Sequence, residues 1–260
     1  MKLRYLAVAL AMVALLAACG KKESSETAEQ PAAPAATKTV DSATVGEVTG
    51  TVTFSGTAPT YKPINMSAEA YCVKANPKPV VPQEVVLGDK NALENVVVYV
   101  KSGVEDYSFP TPADKTTLDQ KGCMYHPHVL ALMAGQPFEV TTSDQTTHNI
   151  HPMPKDNREW NKSQPPGSPA IDDTFARPEV AIEVKCNVHP WMKAYIAVMK
   201  NPFYAVTGAN GSFDLKGLPP GTYTIEAWHE KYGVMDQQVT IGPKESKSVT
   251  FTFSPAASGD

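Results

Sequence analysis

From Gly46 to Phe253 the chain reads almost throughout as β structure, with runs in which apolar and polar residues alternate with a period of two, punctuated by prolines and glycines. Glu47-Val48-Thr49-Gly50-Thr51-Val52-Thr53-Phe54 and Ser248-Val249-Thr250-Phe251-Thr252-Phe253 are the clearest cases. Such alternation puts every second side chain on one face, which suits a strand half in a core and half in water and does not build a helical stripe. Asn95-Val96-Val97-Val98-Tyr99-Val100 is instead a continuous apolar run, suited to a strand buried inside a sandwich. The 23 prolines and 16 glycines supply turns, as at Pro219-Pro220-Gly221, and no stretch carries a long amphipathic helix. The chain is therefore expected to be all-β, of the sandwich type.

The first residues follow a different rule. Met1-Lys2-Leu3-Arg4 is basic, Tyr5 to Leu16 is apolar but short for a bilayer span, and Ala17-Ala18-Cys19 closes the run with small residues. Residues 1–18 are expected to be an export signal. The Leu16-Ala17-Ala18-Cys19 ending resembles a bacterial lipobox, which implies acylation of Cys19 and a membrane anchor. Gly20-Lys21-Lys22 lacks the aspartate associated with inner-membrane retention, so the outer membrane is slightly favoured. Residues 19–45, rich in Ala, Pro, Ser, Thr and Glu, bury too little to offset their ordering entropy. They are expected to be a disordered tether reaching roughly 25–30 Å. The formal net charge is −4 at pH 7, and it becomes more negative once Lys2 and Arg4 leave with the signal. That balance argues against nucleic acid and leaves the lipid as the expected membrane contact.

Two stretches carry chemistry: Thr147-His148-Asn149-Ile150-His151 and Cys186-Asn187-Val188-His189-Pro190-Trp191-Met192. One imidazole from upstream, then a thiolate, a second imidazole and a thioether from one short loop, make the ligand set of a blue-copper site. The expected ligands of one copper ion are His148, Cys186, His189 and Met192. Residues 181–186 alternate into this loop and 194–199 alternate out of it, so two strands hold it. Cysteine usage agrees: with Cys19 taken by lipid, Cys72 and Cys123 can pair in an oxidising compartment, which leaves Cys186 for the metal. The alternative is that Cys123 joins the metal. His151 stands as an outer neighbour of the site or a substitute for His148. His126 and His128 share a face if extended and are a candidate further metal position, although surface histidines are the plainer reading. Trp191 is expected to shield the ion or shape a docking patch. No nucleophile elbow, phosphate loop or peptidase zinc motif is present, so no enzyme activity is expected.

The segment 102–201 resembles the cupredoxins, blue-copper proteins of Greek-key β-sandwich fold. The resemblance rests on the His148-Asn149-Ile150-His151 stretch and on the Cys-x-x-His-Pro-aromatic-Met loop at 186–192. The tail, from Val206-Thr207-Gly208-Ala209-Asn210-Gly211 through Leu218-Pro219-Pro220-Gly221-Thr222-Tyr223, resembles the carboxypeptidase regulatory-like module, a prealbumin-like β-sandwich. In it, Asn210-Gly211 is expected to form a tight hairpin. Residues 46–101 plus 202–255 are expected to build that sandwich with the copper segment inserted between its early and late strands; two consecutive domains are the alternative. The cupredoxin resemblance implies a type 1 copper protein, facing the periplasm or cell surface, that carries single electrons. They would pass through the edge of His189 to a redox protein such as a cytochrome or a dehydrogenase. The other readings are a copper-handling lipoprotein that binds without relaying, and an adhesive or scaffolding β-sandwich lipoprotein.

Overall fold

The computed structural model of the protein describes residues 38–255. The export signal, Cys19 and residues 19–37 of the tether lie outside the described residues. Residues 38–45 are held against the fold. The Lys38 N–H donates to the Asp106 carbonyl at 2.7 Å, the two side chains form an ion pair at 2.7 Å, and the Thr44 carbonyl accepts from Lys244 at 3.0 Å. Among the described residues no helix is long and apolar enough to cross a membrane.

The alternating sequence folds into short strands: β1 (Gly46–Phe54), β2 (Val97–Ser102), β3 (Thr116–Lys121), β4 (Met124–His126), β5 (Val129–Met133), β6 (Phe138–Thr142), β7 (His148–Met153) and β8 (Lys162–Gln164). They continue as β9 (Ile171–Asp173), β10 (Glu179–Lys185), β11 (Lys193–Met199), β12 (Tyr204–Val206), β13 (Ser212–Leu218), β14 (Gly221–His229), β15 (Gly233–Ile241) and β16 (Ser246–Phe253). One short α-helix, α1 (Ala70–Ala75), and a single 3-10 turn, Asp89–Asn91, lie between β1 and β2. Four sheets result, in the orders β13-β1-β16, β12-β2-β14-β15, β5-β11-β10-β7-β8 and β4-β3-β6-β9.

The first two sheets enclose one core, with Val48, Phe213 and Phe251 from one side meeting Val98, Ile225 and Ile241 from the other. The last two enclose a second, where Leu118, Tyr125 and Phe138 meet Ile150, Ile182 and Ile196. A third cluster of Val97, Val129, Ala197, Met199 and Trp228 lies between these two bodies. It explains the continuous apolar runs. In β2, Val98 and Val100 face the first core while Val97 faces the third cluster; in β11, Ile196 and Val198 face the second core while Ala197 and Met199 face the third. A strand with two buried faces has no position left for a polar residue. By contrast β16 buries Val249, Phe251 and Phe253 and exposes the residues between them.

The early strands pair with the late ones. β1 lies between antiparallel β13 and parallel β16, and β2 lies between β12 and β14, antiparallel to both. Between β1 and β2, however, Ile64, Met66, Tyr71, Cys72 and Val80 pack on the second core, although they fall inside the 46–101 stretch that the sequence reading gives to the first body. Cys72 of α1 is disulfide-bonded to Cys123 in the β3–β4 turn. The Asn76 side chain adds a hydrogen bond to the Gly122 carbonyl at 2.8 Å.

The expected hairpin at Asn210-Gly211 is not formed. β12 pairs with β2 and β13 with β1, so this turn carries the chain from one sheet to the other. Gly211 has φ +65°, and a Cβ there would lie 2.4 Å from the Val52 carbonyl oxygen, so close crossing beneath β1 demands glycine. The signal of a tight turn was real; its partner strands are set by burial.

Candidate metal centre

His148 opens β7, and residues 186–192 join β10 to β11, so both stretches lie at one end of the same five-stranded sheet. β10 pairs with β7 and with β11, with Lys185 opposite His151 and opposite Lys193. The buried Tyr125 hydroxyl, 2.6 Å from the Asn149 carbonyl and 3.0 Å from that of Lys185, ties the residue after one candidate ligand to the residue before the next. Asn149 repeats the tie with its side chain, which accepts from the Asn187 N–H and donates to Asn161. Inside the loop the Cys186 N–H donates to the Met192 carbonyl at 3.3 Å and the Met192 N–H to that of His189 at 2.9 Å.

This framework brings the expected donors together. The Nδ1 atoms of His148 and His189 are 2.9 Å apart, Cys186 Sγ is 3.8 Å from His189 Nδ1, and donor atoms of all three residues lie within 4.8 Å of one another. His148, His189, Cys186 and Met192 are all 3% exposed or less. A first-row ion such as zinc sits about 2.0–2.1 Å from imidazole nitrogen and about 2.3 Å from thiolate, so donors about 3–4 Å apart have the spacing of ligands sharing one ion. Two imidazoles and a thiolate, with a buried thioether in the same loop, fit copper by donor chemistry.

Charge in the site is arranged around the thiol. Cys186 Sγ accepts from the backbone N–H groups of His189 at 3.4 Å and Asn149 at 3.5 Å. Burial pushes its pKa up, and the hydrogen bonds from His148 and these amides outweigh burial, leaving it below the ordinary thiol value. For His148, burial favours the neutral ring, but bonding to Asp144 and Cys186 wins and raises its pKa to about 9. His189 is pushed down, by burial first and then by the charge of His148. His148 Nε2 lies 2.8 Å from Asp144 Oδ2, and its Nδ1 lies 2.9 Å from His189 Nδ1.

Asp144 is the residue the sequence reading missed. It is 2% exposed and its Oδ2 lies 2.8 Å from His148 Nε2. It also accepts the backbone N–H groups of Gly122 and Cys123, each at 2.7 Å, and the Tyr71 hydroxyl at 3.1 Å. Gly122 and Cys123 both have positive φ, +61° and +55°, which turns successive N–H groups toward the carboxylate. Burial raises the Asp144 pKa, and the bonds from His148, Cys123, Gly122 and Tyr71 more than reverse that. A carboxylate on the outer nitrogen of a ligand histidine fixes its tautomer and raises its basicity.

The other sequence candidates are placed elsewhere. His151 bonds Glu159 at 2.7 Å through Nε2. His128 is buried, with Nδ1 3.1 Å from the Lys193 carbonyl and Nε2 against Glu230, while His126 is exposed with Nε2 3.2 Å from the Lys121 carbonyl. Among the described residues none of the three belongs to a donor group spaced to hold an ion. Cys123, bonded to Cys72, has no thiolate to offer, and Cys186 is the free cysteine among the described residues. The ring of His189 is sealed: it is 1% exposed and its Nε2 is buried without a hydrogen-bond partner. The expected surface edge of His189 is therefore not exposed, and the Cys72–Cys123 disulfide lies beside the ring. Both sulfurs of the disulfide lie within 4.8 Å of a His189 ring nitrogen.

Residues 190–254 match the family model of the carboxypeptidase regulatory-like domain. No curated protein matches the chain. Among solved structures it is similar to a copper-containing nitrite reductase (NirK) from Thermus scotoductus SA-01, at 19% identity and a TM-score of 0.31, over 48% of this chain and 28% of that one. It is similar to amicyanin from Paracoccus versutus at 18% identity and a TM-score of 0.28, covering 39% of this chain and 97% of that one. A purple cupredoxin from Nitrosopumilus maritimus gives 19% identity and a TM-score of 0.28, covering 32% and 98%. The structural neighbours are thus cupredoxins, and the tail carries a carboxypeptidase regulatory-like segment.

Proposed function

We propose that this protein is a lipid-anchored type 1 copper protein that carries single electrons between redox partners outside the cytoplasm. The observation that carries the reading is the convergence of His148, Cys186 and His189, all buried, with Met192 buried in the same loop. Bound copper would supply one-electron exchange between Cu(I) and Cu(II). The chain's own residues hold the donors still: Tyr125 and Asn149 lock the two ligand-bearing stretches together, and Asp144 orients His148. Little rearrangement between oxidation states is what fast electron exchange requires.

The copper segment, 102–201, is proposed to be an insertion in the sandwich built from 46–101 and 202–255, a reading supported by the pairing of β1 with β13 and β16. Acylated Cys19 would hold the molecule to the membrane. The sealed ring of His189 favours one second reading, a site that stores or hands over copper without relaying electrons.

The test adds Cu(II) to the full-length chain and records visible and EPR spectra of wild type and Cys186→Ser. An intense charge-transfer band with narrow copper hyperfine splitting, lost in the variant, is expected. A colourless protein, or a copper signal that survives the substitution, would overturn the carrier reading.

A further inference from the structure

Two aromatic rings touch His189. One is His148, itself fully buried, with centroids 4.7 Å apart; the other is Trp191, at 5.2 Å and tilted by 48°. Trp191 is half-buried, so of these two neighbours it alone reaches toward solvent. Its indole is held in place: Nε1 donates to the Cys123 carbonyl at 3.1 Å, beside the disulfide that closes the other side of the site. It also lines a cleft of about 300 Å³ together with Ile64, Tyr61, Pro190, Glu84 and Lys193. The indole is thus a fixed π system that contacts a candidate ligand and belongs to a residue lining a cleft. Centroid separations of about 4.5–7 Å are those of aromatic rings in direct contact.

We infer that Trp191 is the bridge through which electrons enter and leave the site, in place of the sealed edge of His189. The inference rests on the electron-carrier reading of the same site. One electron passes from the reduced site to an oxidised acceptor, with no bond made or broken and no proton moved. The indole acts as a tunnelling path and is not itself oxidised. Trp191 donates no ligand atom, so its part in the reaction is the route alone. Tunnelling falls steeply with distance through packed atoms, and removing the ring forces the electron through the α1 cap or across an enlarged gap.

The experiment loads the full-length chain with copper, reduces it, and follows its oxidation by ferricyanide in stopped flow for wild type, Trp191→Leu and Trp191→Phe. The visible spectrum and reduction potential of each are recorded alongside. In Trp191→Leu the rate is expected to fall by about tenfold or more with band and potential unchanged. Trp191→Phe, which keeps a ring, is expected to recover most of the loss. A Trp191→Leu rate within about twofold of wild type, with the copper band intact, sinks this inference and leaves the carrier reading standing. A loss that tracks a shifted potential sinks it too, since Trp191 would then be acting as a support of the ligand loop. If wild type shows no thiolate band at all, the carrier reading fails, and the route fails with it.

Discussion

Four hydrogen bonds converge on the Asp144 carboxylate, and one of them comes from a candidate ligand. Replacing it by asparagine keeps the size but removes the charge and turns part of the acceptor into a donor facing backbone N–H groups. Loss of such an outer partner typically weakens metal binding by about 10–100-fold, so Asp144→Asn is expected to lower copper affinity by that range in a competition titration. Protons should tell the same story. Metal must displace the proton that His148 holds, so copper binding is expected to release protons near neutral pH and to tighten as pH rises toward about 9. Calorimetry in buffers of different ionisation enthalpy checks this; binding heats independent of buffer would rule it out. The copper-free chain has a linked dependence of its stability. His148 is raised from about 6.5 in the unfolded chain, so its contribution is whole below about pH 6.5 and is lost as pH climbs through about 9. Asp144 is depressed, so its contribution is present above about pH 4 and disappears as pH falls through its lower folded value. In urea unfolding of the copper-free chain, Asp144→Asn is therefore expected to cost stability at neutral pH and much less well below pH 4, where the wild-type carboxylate has itself taken up a proton.

At the scale of elements, the site depends on a piece of chain that belongs to neither sheet of its own sandwich. α1 reaches the β3–β4 turn through the Cys72–Cys123 bond, 51 residues apart in sequence, and closes over His189. Closing a loop of that length lowers the entropy of the unfolded chain by an amount worth about 4 kcal/mol in the chain-entropy picture. The double variant Cys72→Ala/Cys123→Ala is expected to lose about 2–4 kcal/mol in denaturant unfolding and to let small oxidants reach His189 directly. The strands and the loop at 186–192 announce themselves by period and by ligand chemistry, and both lie where the residues point. Residues 55–80 have no period, and nothing local says that Tyr71 and Cys72 will pack on the second core and not on the first. Asp144 is equally silent, one acid among many, until the turn at Gly122-Cys123 brings two amides to it. The pairing of Cys72 with Cys123 could be reached by counting; what it covers could not, because that is set by tertiary packing.

Across the whole molecule, three clusters and not two decide how the chain behaves. The first and second cores each resemble the interior of an independent sandwich, but Val97 and Trp228 from one body and Val129, Ala197 and Met199 from the other bury one another. Trp228 also meets Tyr195 of β11 edge-on, with centroids 5.4 Å apart. Close by, His128 and Glu230 pair across the same junction with both side chains almost fully buried, so separating the bodies would break a buried polar pair as well as expose apolar side chains. Unfolding either body alone would uncover its half of this cluster, which penalises the half-folded state. The full-length chain is therefore expected to melt in a single calorimetric transition with equal van't Hoff and calorimetric enthalpies. Trp228→Ala removes the largest side chain of the junction and leaves the ligand loop untouched, at a cost of about 3–5 kcal/mol. Because that loss falls on the coupling between bodies more than on either core, the variant is expected to show two transitions, with copper, if bound, raising only the one that belongs to β3–β11. A single transition simply shifted to lower temperature would mean that the two bodies stay coupled without help from Trp228.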